Sequence, residues 1–388
     1  MPPPFLRPLS LTELAPPTGA PVLHWLRLWL FALAGLVVGM VMLGGATRLT
    51  HSGLSITEWQ PLNGVIPPLS EAGWQETFAK YQQIPEYKLL NKGMSLDEFK
   101  PLFWWEWSHR MLGRFVGLVA AVGLVVFLSF AEVRRRLWLP LTGIFLAGGL
   151  EGAAGWFMVA SGLQDRTDVS QYRLALHLGI ATLIIALILW TALGVARSRG
   201  RWSPLSLLAL ALAAAIFGQI LLGAFVAGLD AGLSYNTWPL MDGRLLPHGL
   251  KAMKPWWLNP FENRVTVQFD HRLGAYAVAG LALLNHVVVW RLGGERLLTS
   301  AATVLCLVLA QIGLGIWTLL AVVPLPLALA HQVTAMAVLA AALWHLDRTL
   351  TGAEMGSEPI LFPVETAVRM GSNPISAPTR ATPGNPVR

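Results

Sequence analysis

The chain has 388 residues, 54% of them hydrophobic and only 13% charged, with a mean hydropathy of +0.55. Soluble domains carry about 25% charged residues, which excludes an ordinary water-soluble enzyme, and the net charge of +7 sits in short clusters beside apolar runs, which excludes a nucleic-acid partner. The single cysteine, Cys306, excludes a disulfide scaffold.

Residues 1–24 are rich in proline (Pro2, Pro3, Pro4, Pro8, Pro16, Pro17) and read as a cytoplasmic segment. A membrane-spanning helix needs about 20 mostly apolar residues. The first such run, Trp25–Gly45, is too long for a signal-peptide core and lacks a small-residue cleavage site, so it reads as an uncleaved helix. A long loop follows, Ala46–Arg110, in which SLDE (Ser95–Glu98) is a capping box predicting a short surface helix. The second and third runs, Met111–Phe130 and Leu137–Ala160, flank Arg134, Arg135 and Arg136. The fourth, Leu174–Ala196, leads into Arg197, Arg199 and Arg201. The fifth, Leu205–Leu229, precedes a second long loop, Asp230–Arg272. The sixth, Leu273–Trp290, is followed by Arg291 and Arg296, and Leu298–Val322 and Leu325–Leu346 complete the set. Residues 349–388 are rich in Pro, Ser and Thr and read as a disordered cytoplasmic tail.

Run length and the lack of alternation rule out strands, so the expected fold is an all-α polytopic membrane protein with eight transmembrane helices. Arginines in the short loops place those loops and both termini in the cytoplasm. The two long loops carry Trp59, Trp74, Trp104, Trp105 and Trp107, then Trp238, Trp256 and Trp257. Tryptophan favours the membrane interface, which puts these loops on the outer surface.

The chain repeats itself. GGATRLTHSGLSITEWQPLNGVIPP (Gly44–Pro68) parallels GAFVAGLDAGLSYNTWPLMDGRLLP (Gly223–Pro247), and EWSHRMLGRF (Glu106–Phe115) parallels QFDHRLGAYA (Gln268–Ala277). GGLEGAAGWFMVASGL (Gly148–Leu163) then parallels AQIGLGIWTLLAVVPL (Ala310–Leu325), and LALHLGIA parallels LALAHQVTA. Four helices per half is an even number, so both halves start from the same side. The expected architecture is two four-helix bundles related by a pseudo-twofold axis along the membrane normal. The bundles are 25–196 and 197–348.

Four of nine histidines fall at matching positions: His109 with His271, and His177 with His331. Each opens an even-numbered run, so all four sit near the outer boundary. Two imidazoles on two helices of each bundle suit bis-histidine haem; zinc would want three or four closely spaced ligands. The competing reading, a hydrogen-bonded packing histidine, is harder to sustain for four symmetric positions. Gly113, Gly117, Gly179 and Gly274 would admit a flat macrocycle, and Arg110 and Arg272 would meet its propionates. His24, His51, His248 and His345 read as interfacial and His286 as packed; Arg114 reads as a boundary residue.

One break in the repeat is informative. Glu106 precedes His109 by three residues, whereas Gln268 stands before His271. Residues i and i+3 share a helix face, and a carboxylate at membrane depth is a functional candidate. Glu151, set against an apolar counterpart, is a second candidate or an arginine partner.

The segments GGATRLTHSGLSITEWQPLNGVIPP, EWSHRMLGRFVG, LHLGIA and FDHRLGAY, with the context of His331, resemble heme A synthase of the alphaproteobacterial, mitochondrial-like branch over roughly residues 25–346. The resemblance implies an inner-membrane enzyme that oxidises the C8 methyl of heme O by two successive hydroxylations, after which a geminal diol loses water to give heme A. It implies that His109 and His177, with Arg110, hold the substrate haem in the N-terminal bundle. It implies that His271 and His331, with Arg272, hold heme b in the C-terminal bundle, and that Glu106 is catalytic. Membrane lipid and heme O synthase, the protoheme farnesyltransferase, are the implied partners. Some members carry a cysteine pair in the first outer loop; this loop has none, so a thiol step is unavailable. A di-haem cytochrome that only passes electrons and a non-catalytic haem carrier would use the same histidines and stay open; the parallel repeat disfavours a transporter.

Overall fold

A computed structural model describes residues 20–60, 63–164, 166–195 and 199–351. The proline-rich start, Arg197 and the tail from residue 352 lie outside the described residues. Eight helices are long and apolar enough to cross a membrane: α1 (Ala20–Leu49), α4 (Leu96–Ser129), α5 (Ala131–Ala160), α6 (Gln171–Gly194), α7 (Pro204–Gly228), α9 (Arg264–Leu292), α10 (Gly294–Leu320) and α11 (Leu325–Thr351). Short helices lie in the connections: α2 (Glu71–Tyr81), α3 (Pro85–Leu89) and α8 (Asn259–Glu262). No strand occurs among the described residues. This is a multi-pass, all-helical membrane protein.

The helices pack as two closed rings of four. In the first, α1 touches α4 and α6, and α5 closes the ring between α4 and α6; in the second, α7 touches α9 and α11, and α10 closes it. The rings meet where α6 packs on α7 and α11 and where α1 packs on α11. Large aliphatic residues fill that seam (Leu33, Ile185, Ile188, Leu212, Met336, Leu339), all nearly inaccessible. Apolar side chains such as Leu118, Val125, Leu146 and Leu283 point outward instead, as lipid contact requires.

The capping box is present, with Glu98 N donating to Ser95 Oγ and Ser95 N to Glu98 Oε2. It does not open a separate short helix, as the sequence suggests. It opens α4 itself, which runs unbroken from the outer loop into the membrane. Beyond the bilayer this helix is held by aromatic packing, not by apolar length. Phe99 and Phe103 stack with Trp74, Phe78 and Tyr81 of α2. Trp74 is therefore part of a small extramembrane core, while Trp59, Trp256 and Trp257 stay exposed.

Candidate functional site

All four paired histidines line one cavity of about 1180 Å³, which reaches from the seam between the rings to the outer loops. Ligand pockets commonly hold about 300–1,000 Å³, so this one has room for large flat molecules. The rings of His271 and His331 lie 6.5 Å apart, centroid to centroid, at an interplanar angle of 78°. Two imidazoles bound to one metal from opposite sides, each at about 2 Å, place their centroids about 6 Å apart. The pair would thus suit one metal ion held between the two imidazoles. Neither His109 Nδ1 nor His331 Nδ1 has a hydrogen-bond partner among the described residues, so each keeps a nitrogen for a ligand. No group of three or more His, Cys, Asp or Glu able to hold a bare metal ion occurs among the described residues.

Each imidazole rests on a glycine of the neighbouring helix. A Cβ added at Gly44 would come 3.0 Å from His109 Cε1, and one at Gly155 3.0 Å from His177 Cε1. At Gly223 and Gly315 the distances to His271 and His331 are 3.3 and 2.7 Å. These four glycines make the space against the imidazoles, and of those singled out in the sequence Gly113 and Gly117 line the cavity as well. Gly179 faces Leu221 and Gly274 faces Gln219.

The glycine pairing also corrects the register of the repeat. Gly155 corresponds to Gly315, which aligns Glu151 with Gln311 instead of an apolar residue. Glu151 Oε1 lies 3.0 Å from His177 Nδ1. Gln311 Nε2 lies 3.4 Å from His331 Nε2 and donates to the His331 carbonyl at 2.9 Å. Gln219 holds His271 in the same manner, 3.1 Å from Nδ1 and 2.8 Å from the carbonyl oxygen.

Glu106 is buried at 3% exposure and lines the cavity. Its Oε2 accepts from Ser55 Oγ (2.7 Å) and Ile56 N (2.6 Å), and its Oε1 from Arg110 Nε (3.0 Å) and Nη2 (2.6 Å). Arg110 also donates to the carbonyls of Ile56 and Glu58. Arg272 makes the matching pair of bonds, to Tyr235 and Thr237 carbonyls. Both arginines line the cavity and latch an outer loop. Gln268 donates to the Tyr235 carbonyl at 3.1 Å, and its Oε1 finds no partner among the described residues. Glu106 and Glu151, the two carboxylates on first-ring helices that line the cavity, are therefore matched by amides in the second.

Sequence reasoning misses a charged cluster at the end of the cavity nearest the two long loops. Arg48, ending α1, binds both oxygens of Asp230 (3.1 and 3.0 Å) and lies 3.5 Å from Asp168. It thereby ties the first ring to the second. Glu86 is buried on the same cavity wall. Arg114 donates to the Gln60 carbonyl. His345, expected at an interface, is fully buried between three helices, 3.0 Å from Asn285 Nδ2 and 2.8 Å from Ser300 Oγ.

A family model described as cytochrome oxidase assembly protein (COX15-CtaA) matches residues 27–343. A heme A synthase of Parvibaculum lavamentivorans is 52% identical over 330 residues, 84% of this chain and 94% of that protein. One of Chelativorans sp. is 53% identical over 84% of this chain and 91% of its own length. One of Mesorhizobium japonicum is 53% identical over 86% and 93%.

Proposed function

The chain belongs to the COX15-CtaA family of cytochrome oxidase assembly proteins, and we infer that it is a heme A synthase, an oxidoreductase acting on heme O. The observation that carries this reading is the double exchange of carboxylate for amide between otherwise matched histidine pairs. A mere electron carrier gains nothing from it.

The first ring, with His109 and His177, would receive heme O as substrate and oxidise its C8 methyl to a formyl group by two hydroxylations and loss of water. The second, with His271 and His331, would hold heme b, which supplies one-electron transfer when bound. Gln219 and Gln311 fix the imidazoles of the second pair through neutral amides, which suits a permanent centre. Glu106 sets its carboxyl group on the cavity wall three residues before His109, where it would stabilise positive charge developing at the substrate rim. Arg110 and Arg272 add positive charge where substrate and cofactor carboxylates would lie. The arginine-rich short loops favour an inner-membrane orientation with cytoplasmic termini, placing both haem sites toward the periplasm. A poorly soluble substrate favours direct transfer from heme O synthase.

The test is pigment extraction and chromatography from a host that makes heme O, with and without this chain. A new formyl haem is the expected result. A b-type pigment alone would leave an electron-transfer cytochrome or a haem carrier.

Two substitutions probe the two halves. Gly315→Ala sets a methyl 2.7 Å from His331 Cε1, and overpacking of this kind costs about 1–3 kcal/mol. Purified protein is expected to hold less haem per chain, read from its absorbance. Glu151→Gln converts the first half toward the second. Removing a negative charge next to a ligand imidazole favours the reduced metal, so the midpoint potential of the haem on His177 is expected to rise in a redox titration. An unchanged potential would mean that Glu151 carries no influence there.

A further inference from the structure

We propose that Glu86 is the group through which protons pass between the cavity and the outer aqueous face during turnover. This rests on the synthase reading, since oxidising a carbon inside the cavity releases protons as electrons leave.

Pro85 opens α3, a five-residue helix in the first outer loop, and Glu86 is its second residue. The side chain is 4% exposed, yet it lies outside every membrane-spanning helix. It lines the cavity, and its Oε2 has no hydrogen-bond partner among the described residues. A buried carboxyl oxygen left without a hydrogen-bond partner is costly, and the nearest cation, Arg48, is shared with other carboxylates. Arg48, at the end of α1, is engaged by Asp168 and Asp230. Glu106, on α4, is engaged by Ser55, Ile56 and Arg110. Tyr81, on α2, accepts a hydrogen bond from Asn91 Nδ2 at 2.7 Å.

Burial first, then the charges of Asp168 and Glu106, push the Glu86 carboxyl up to about 8, with Arg48 opposing them. Burial pushes the Tyr81 hydroxyl up to about 12, with the nearby Glu86 charge adding to it, so this phenol keeps its proton at working pH. Glu86 is thus a buried group of this wall placed to exchange a proton near neutrality, where a relay works best. The aromatic core of α2 and α4 seals the loop around it. In each pass the carboxylate takes one proton from the cavity side and releases one to outer water. No bond to carbon forms, and no electron moves.

The test uses the full chain purified with its haem, as wild type, Glu86→Gln and Glu86→Asp. Heme A formation by wild type should rise with pH through a midpoint near 8, because the group must be deprotonated to accept. Glu86→Gln should lose this limb and at least tenfold of the rate at pH 8, with its haem spectrum unchanged; Glu86→Asp should keep a limb at a shifted midpoint. Infrared pH-difference spectra should show a carboxyl titrating near pH 8 in wild type and not in Glu86→Gln. A retained limb, a rate lowered equally at every pH, or a surviving infrared signal in Glu86→Gln would overturn the proposal. Failure of wild type to form a formyl haem strikes the synthase reading instead, and the infrared result still decides on Glu86.

The raised value has a consequence for folding as well. A carboxyl moved from the usual 4.5 to about 8 stabilises the fold below that window and loses the contribution as pH rises through it. Glu86→Gln should therefore be less sensitive to alkaline unfolding than wild type.

Discussion

His331→Ala is expected to remove the b-type haem spectrum from the purified protein and to abolish heme A production. His331 and His271 face each other at 6.5 Å, a spacing that leaves room for one metal atom. Each is fixed from outside by an amide, Gln311 or Gln219, and each rests on a glycine. With one imidazole gone, the remaining one loses the partner that faces it. Absorption spectra of variant and wild type at equal protein concentration measure the loss directly. A full, unshifted spectrum in the variant would remove this pair from the cofactor's ligand set.

Glu106→Gln is expected to lower turnover by at least a hundredfold while the haem on His271 and His331 stays bound. The carboxylate accepts four hydrogen bonds from three residues. A glutamine keeps the shape but must turn an NH2 toward either Arg110 or the Ile56 N–H, donor against donor. Hydrogen bonds to charged groups are worth about 1.5–3 kcal/mol each, so the outer loop loosens as the charge disappears. Gln268 indicates that the fold accepts the amide at this position, for it occupies the matching place with one oxygen unpartnered. Loss of turnover with the C-terminal haem spectrum intact separates a catalytic defect from a folding one. Heme A formation at the wild-type rate would take Glu106 out of the mechanism.

The membrane part of this fold is legible in the sequence because lipid imposes one requirement, an unbroken apolar run, and runs are visible locally. The eight helices lie where the runs do. Their ends differ where another force takes over. The helix carrying His109 begins at Leu96 rather than Met111 because a capping box and the packing of Phe99 and Phe103 on α2 extend it through polar sequence. The histidine pairs were legible through the internal repeat. Their neighbours were less so: Glu151 meets Gln311 only when Gly155 and Gly315 set the register, and glycines carry little alignment signal. Arg48 with Asp230 lies 182 residues apart in the chain, and Glu86 gains its meaning from burial by elements on either side. Neither kind of fact has a period or a motif. His345 failed for the opposite reason: its place near the end of a run suggested an interface, but three helices close over it.

One hollow lined by all four paired imidazoles makes the two halves thermodynamically linked. Where occupation of one side shifts the shared lining, the free energy of occupying the other place changes with it. That dependence is reciprocal by necessity: whatever factor a resident pigment contributes to the capture of an incoming one is the factor by which the newcomer tightens or loosens the resident. Stoichiometric titrations of the two halves should therefore depart from a sum of independent isotherms.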